Sequence, residues 1–125
     1  QEVTALCRDR LCEVASRPDA VFCTNGPTAL GVLRAFQECG LETPRDMGFV
    51  TFDELTVDDL FTPSITTIVQ PAYDIGFRAA QILLDRIEGV AAQEGSITVR
   101  LAATLKIRAS STPSRDTASH LQKSY

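Results

Sequence analysis

Two short polar residues stand out by position. Asn25 follows the apolar run AVFCT (20–24), and Asp53 follows the apolar run GFVTF (48–52). An amide can donate and accept, and an ionised carboxylate accepts, so the pair suits hydrogen bonding to a polar small molecule. In open parallel sheets ligands are held at the carboxyl ends of strands, which is where both residues would fall. Beside Asp53 lie Glu54, Asp58 and Asp59. Their spacing fits no known metal loop and no nearby glycine supplies a sharp bend, so a solvated turn is expected and no metal site. Serines and threonines are present, but His120, the single histidine, lies in a polar terminal stretch. Nucleophilic catalysis therefore has no activating base, and no glycine-rich phosphate loop is present; the sequence does not read as an enzyme. The four cysteines, Cys7, Cys12, Cys23 and Cys39, contain no C-x-x-C pair. Buried free thiols in a reducing compartment are expected, in preference to zinc ligands or disulfides.

The elements that would position Asn25 and Asp53 follow from hydrophobic period and punctuation. Residues 3–17 place Val3, Leu6, Cys7, Leu11, Val14 and Ala15 on one helical face, and Pro18 stops that helix. The runs 20–24 and 48–52 read as strands buried on both faces. Between them Asn25 is a good N-cap, Gly26 and Pro27 fit the first helical positions, and Ala29, Leu30, Val32, Leu33 and Phe36 form the apolar face. Gly40 suits the left-handed stop. A turn follows at 43–46. Residues 53–63 are acidic and irregular, with a short helical turn expected around 57–61. The β-branched run 65–69 is a third strand, ending at Gln70-Pro71.

Residues 72–88 form the longest helix, with Ile75, Ala79, Ile82, Leu83 and Ile87 on one face and Gly89 as its stop. From Ile97 to Ile107 the residues alternate, which suits a strand buried on one side or lying at a sheet edge. From Ala109 the composition turns polar without period, and a disordered tail is expected over 109–125. The order is α/β, with short connections implying parallel crossovers. The helix 72–88 has no obvious partner strand nearby.

At 125 residues, 44% hydrophobic and 22% charged, the chain can bury one core. Its net charge of −4 argues against gripping a nucleic-acid backbone unaided. No apolar run is long enough to span a membrane. The opening QEVTALCRDRLCEV has neither an initiating Met nor an apolar signal core, and reads as part of something longer.

Three stretches, PDAVFCTNGPTALGVLRAFQECGLETPRDMGFVTFDEL, PSITTIVQPAYDIGFRAAQILLDRI and LAATLKIRASS, occur in that order within residues 3–111. Together they resemble the C-terminal part of the effector-binding region of LacI/GalR-type bacterial transcription regulators. The resemblance implies an α/β, periplasmic-binding-protein-like fold of type I: two subdomains, each a parallel sheet flanked by helices, joined by three crossover segments. Here it would be incomplete and mostly the C-terminal subdomain. Residues 1–108 would form the partial effector-binding domain, with a crossover near 69–71 and helix 72–88 belonging to the other subdomain. A small effector (sugar, sugar phosphate or sugar acid) would bind in the cleft and control DNA binding by an N-terminal helix-turn-helix that this stretch lacks. A cytoplasmic homodimer without cofactor, and without direct DNA or membrane contact by this part, is implied.

Residue by residue, Asn25 matches the asparagine of the family's A-N-D turn. Phe52 and Asp53 match the aromatic and the first aspartate of its G-[FY]-D-D turn, and Gln70 matches the crossover residue. Tyr73, opening the long helix, is a candidate to stack on the ligand. Gly26 stands where the family usually has aspartate, and Thr51 where it has glycine. The lost carboxylate implies an effector with fewer hydroxyls, or an anionic one. A periplasmic solute-binding protein of the same fold is the alternative reading.

Overall fold

The computed structural model describes residues 2–55, 61–89 and 95–112. It divides into two compact units: Gln1–Val69 together with the chain from Leu105, and Gln70–Thr104. In the first unit, helix α1 (Glu2–Leu11) leads through a 3-10 turn (Val14–Ser16) to β1 (Ala20–Cys23). Helix α2 (Gly26–Glu38), β2 (Gly48–Phe52) and β3 (Thr66–Val69) follow, and a final 3-10 turn (Ala109–Ser111) closes it. The short strand β4 (Thr104–Lys106) lies where the two units divide, and the sheet order is β1-β2-β3-β4. The β1–β2 and β2–β3 pairs are parallel, with Cys23 opposite Thr51 and Phe52 opposite Ile68.

Helix α2 is set by its ends and its stripe. Asn25, with extended backbone, caps it, and Gly40 leaves it at φ +67, a left-handed conformation that costs glycine little. Its buried residues Ala29, Val32, Ala35 and Phe36 face the sheet, where Phe36 meets Phe49 edge to face with centroids 5.7 Å apart. Met47, Cys23, Ile65 and Leu11 complete this core. Helix α1 crosses α2 at Gly31, where a Cβ would stand 2.9 Å from Val3 Cγ1; only glycine allows that approach.

Several expectations are corrected. The first helix ends at Leu11, not at Arg17 before Pro18, and of its expected face only Leu11 is buried; Leu6 and Val14 are 70% and 75% exposed. The reason is that, among the described residues, α1 packs mainly on α2, so only a narrow stripe finds a partner. Strand β1 was expected to be covered on both faces, yet Phe22 is 54% exposed while Cys23 is buried. Among the described residues it is an edge strand, with α2 covering one face. In β2 likewise Phe49 and Thr51 are buried on the α2 side, whereas Val50 and Phe52 on the other side are half-buried.

The cysteines are also corrected: Cys12 and Cys39 form a disulfide with Cα atoms 5.3 Å apart, leaving Cys7 and Cys23 as free thiols. The 109–125 tail does not begin at Ala109, because residues 109–111 form the 3-10 turn and Ser110 is fully buried. Residues 113–125, and most of the helical turn expected at 57–61, lie outside the described residues.

In the second unit, α3 (Ala72–Ile87) has no buried residue. Its apolar face is nonetheless present: Ile75, Ala79 and Ile82 line, with Ile97, Val99 and Leu101, a groove of about 360 Å³. The alternating run from Ile97 is a strand only over Thr104–Lys106, and its apolar residues are exposed. Alternation marks the face a strand would bury, but pairing needs a neighbouring edge, and none is described beside 97–103. No helix of the described residues is long and apolar enough to cross a membrane.

Candidate ligand-binding site

The parallel register brings Asn25 and Asp53 to the same edge. Each lies two residues beyond the last β1–β2 pair, Cys23 and Thr51, and adjacent strands run about 4.8 Å apart. Asn25 Oδ1 accepts the Thr28 N–H at 2.9 Å, so its carbonyl side serves the helix as a cap. Asp53 is the one described non-glycine residue with a left-handed backbone, φ 69, a conformation aspartate tolerates better than most. Its N–H donates to the Ile68 carbonyl at 2.9 Å, which extends the β2–β3 ladder by one bond and turns the chain at the sheet edge. Phe52, half-buried, lies on the sheet face that α2 does not cover.

Gln70 follows β3 directly and opens the second unit, where its carbonyl accepts the Ala72 N–H. Tyr73, 80% exposed, lies parallel to Phe77 one turn on, with ring centroids 6.2 Å apart and planes at 10°. Of the five predicted residues, then, the first unit itself brings Asn25, Phe52 and Asp53 to one edge; Gln70 and Tyr73 belong to the second.

The acidic turn resolves differently. Glu54 accepts from Lys106 Nζ at 2.6 Å and from Arg108 Nη2 at 3.3 Å. The Lys106 hydrogen bond, then that of Arg108 and the charges of both, holds its carboxyl below the ordinary range despite some desolvation. Glu54 is thus part of a charge cluster joining the 53–55 turn to the strand that precedes the last turn. Asp58 and Asp59 lie outside the described residues, and no group of three His, Cys, Asp or Glu able to hold a metal occurs among the described ones.

Over residues 1–111 the chain matches the family described as periplasmic binding protein-like domain. It is 36% identical over 87 residues to the HTH-type transcriptional repressor PurR of Vibrio atlanticus, covering 70% of this chain and 26% of that protein. A LacI family transcriptional regulator from Enterococcus faecium, solved with bound ribose, superposes with a TM-score of 0.72 at 28% identity, over 90% of this chain and 40% of that one. The transcriptional regulator CelR, in complex with cellobiose, gives 0.75 at 30% identity, over 86% and 32%. The chain belongs to the periplasmic binding protein-like family, in the effector-binding region of LacI/GalR-type regulators. It spans about a quarter of the length of the curated relative.

Within this family setting the two departures acquire physical reasons. At Gly26 a Cβ would stand 3.3 Å from Leu55 Cδ2, and Leu55 is buried. The loop after Asp53 thus folds its leucine against the backbone at Gly26, and a side chain there would crowd it. Thr51 is fully buried on the α2 side of β2, so it is a packing residue and takes no part in the sheet edge. Sequence reasoning missed Arg108 and Ser110, which fasten the site's strands. Arg108 Nη1 donates to the Ile65 carbonyl at 2.7 Å and to Thr67 Oγ1 at 2.9 Å. Both residues sit in LKIRASS, where nothing in composition marks them apart from the polar stretch that follows.

Proposed function

We propose that this chain is the C-terminal portion of the effector-binding region of a transcription regulator, non-catalytic and cytoplasmic. It would bind a small sugar, sugar phosphate or sugar acid, and would couple that binding to DNA through a helix-turn-helix elsewhere in the protein. The observation that carries the reading is the placement of Asn25 and Asp53 at one parallel-sheet edge, in a family whose relatives include repressors and sugar-bound regulators. Asp53 accepts ligand hydroxyls, the nitrogen side of the Asn25 amide donates, and Phe52 supplies an apolar wall. Gln70 and Tyr73 belong to the second unit, and the two units correspond to the family's two subdomains. The effector shifts the balance of open and closed forms, and so of DNA affinity, only by binding them unequally. The exposed apolar faces are covered by the rest of the protein and by a second copy in a homodimer.

Gly26, packed against the buried Leu55, brings no carboxylate to this edge, which supports an effector poorer in hydroxyls than a neutral hexose, or one bearing an acid group. The test is a thermal-shift panel of neutral sugars, sugar acids and sugar phosphates on the full-length protein, with Asp53→Asn as control. Stabilisation by an acid or phosphate that vanishes in Asp53→Asn is expected; a preference for neutral sugars overturns the hydroxyl-poor or anionic effector. One observation favours the alternative, a periplasmic solute-binding protein: the Cys12–Cys39 disulfide, since such bonds persist in oxidising compartments. Operator binding by the full-length protein decides between the two.

A further inference from the structure

The Cys12–Cys39 bond joins the residue after α1 to the residue that caps the end of α2. Cys12 is exposed and Cys39 half-buried, so a dissolved thiol or disulfide can reach the bond from the Cys12 side. The core cysteine differs. Cys23 is buried in the core, and its burial, with Cys7 nearby, pushes its thiol up to about 11, which leaves it unreactive at neutral pH. Near Cys39 the two helices are also linked by the exposed ion pair Arg8–Glu38 at 3.9 Å, of a kind that contributes little. Leu11, by contrast, packs in the same core as Phe36, a contact that does not run through the sulfurs. The two helices thus have packing contacts of their own besides the bond.

We propose that Cys12 and Cys39 form a reversible thiol–disulfide clamp between α1 and α2, set by the surrounding pool of small thiols and disulfides. The proposal rests on reading the protein as an intracellular regulator, since disulfides in reducing compartments are rare and are usually transient or redox-sensing. In closing, the Cys12 thiolate attacks one sulfur of a small disulfide RSSR, forming a mixed disulfide and expelling RS⁻. The Cys39 thiolate then attacks the Cys12 sulfur and expels the second RS⁻. The protein pair loses two electrons to RSSR, and the two protons of its thiols pass to the two released thiolates. Closed, the clamp fixes the far end of the helix whose first turn is capped by Asn25.

The chain is equilibrated in glutathione buffers from fully reduced to fully oxidised, alkylated, and its four cysteines mapped by mass spectrometry. Cys12 and Cys39 are expected to pass together from alkylated to protected at an intermediate ratio, while Cys23 remains a thiol throughout. Protection at every ratio, or at none, overturns the clamp. A melting temperature higher by about 5 °C or more is expected in the oxidised form, abolished in both Cys12→Ser and Cys39→Ser. A difference that survives in either variant overturns it as well. Failure of the full-length protein to bind operator DNA would remove the regulator reading without altering the alkylation result, so the two failures are distinguishable.

Discussion

Ser110 Oγ donates to the Phe49 carbonyl at 2.6 Å across 61 residues of sequence, and accepts the Thr66 N–H at 2.8 Å. One fully buried hydroxyl therefore fastens the last turn to β2 and β3 together. Ser110→Ala leaves a buried donor and a buried acceptor without that partner. The expected loss is about 2–3 kcal/mol in urea denaturation, and a loss below about 1 kcal/mol would show that the hydroxyl is dispensable.

The core rests on the ring pair Phe36–Phe49. Phe49, at 0% exposure, has no route to relax around a cavity. Phe49→Ala should cost about 3–5 kcal/mol, and Phe49→Leu distinctly less, by the same denaturation measurement.

Asn25 has two separable tasks. Asn25→Ala removes the cap to the Thr28 N–H and should cost about 1 kcal/mol, whereas Asn25→Ser keeps a capping oxygen and should be near neutral. If the amide also addresses the effector, Asn25→Ser in the full-length protein weakens effector binding without weakening the fold. Equal affinity in calorimetry would confine Asn25 to its structural task.

Acid sensitivity follows from Glu54. Its carboxyl is depressed from an ordinary 4.5 by Lys106 first and then Arg108. A depressed acid binds protons less readily folded than unfolded, so its contribution is present above 4.5 and is lost as pH falls below that value through the folded one. Glu54→Gln should therefore flatten the decline of stability with falling pH in this window, and Lys106→Ala should flatten it in part. Both are read from denaturation midpoints at a series of pH values; superimposable curves would exclude the cluster as the cause.

Much of the strand-helix-strand arrangement was legible because its signals are local. The N-cap at Asn25, the proline at the first turn, the apolar period and the glycine stop all act within a few residues, and β2 occupies the run read for it. The placing of Asp53 at a strand exit was likewise plain in the sequence, since an apolar run that ends in a short polar residue can be recognised without knowing its neighbours. What covers each face was not legible. Phe22 and Leu6 look like core residues by type, but burial depends on which element arrives opposite them, and none does among the described residues.

The sequence by itself determined the element order, the caps, the family and the two polar residues at strand exits. Tertiary structure alone decided three things that depend on distant segments meeting. It paired Cys12 with Cys39 through the packing of α1 on α2, although 27 residues separate them and no spacing rule links them. It turned part of an apparently featureless tail into the fastening of the sheet, because Ser110 meets its partners only once β2 and β3 lie side by side. And it gave Gly26 a reason, the buried Leu55 lying against it, which no reading of the turn alone could supply because the contact exists only when the ends of β1 and β2 adjoin.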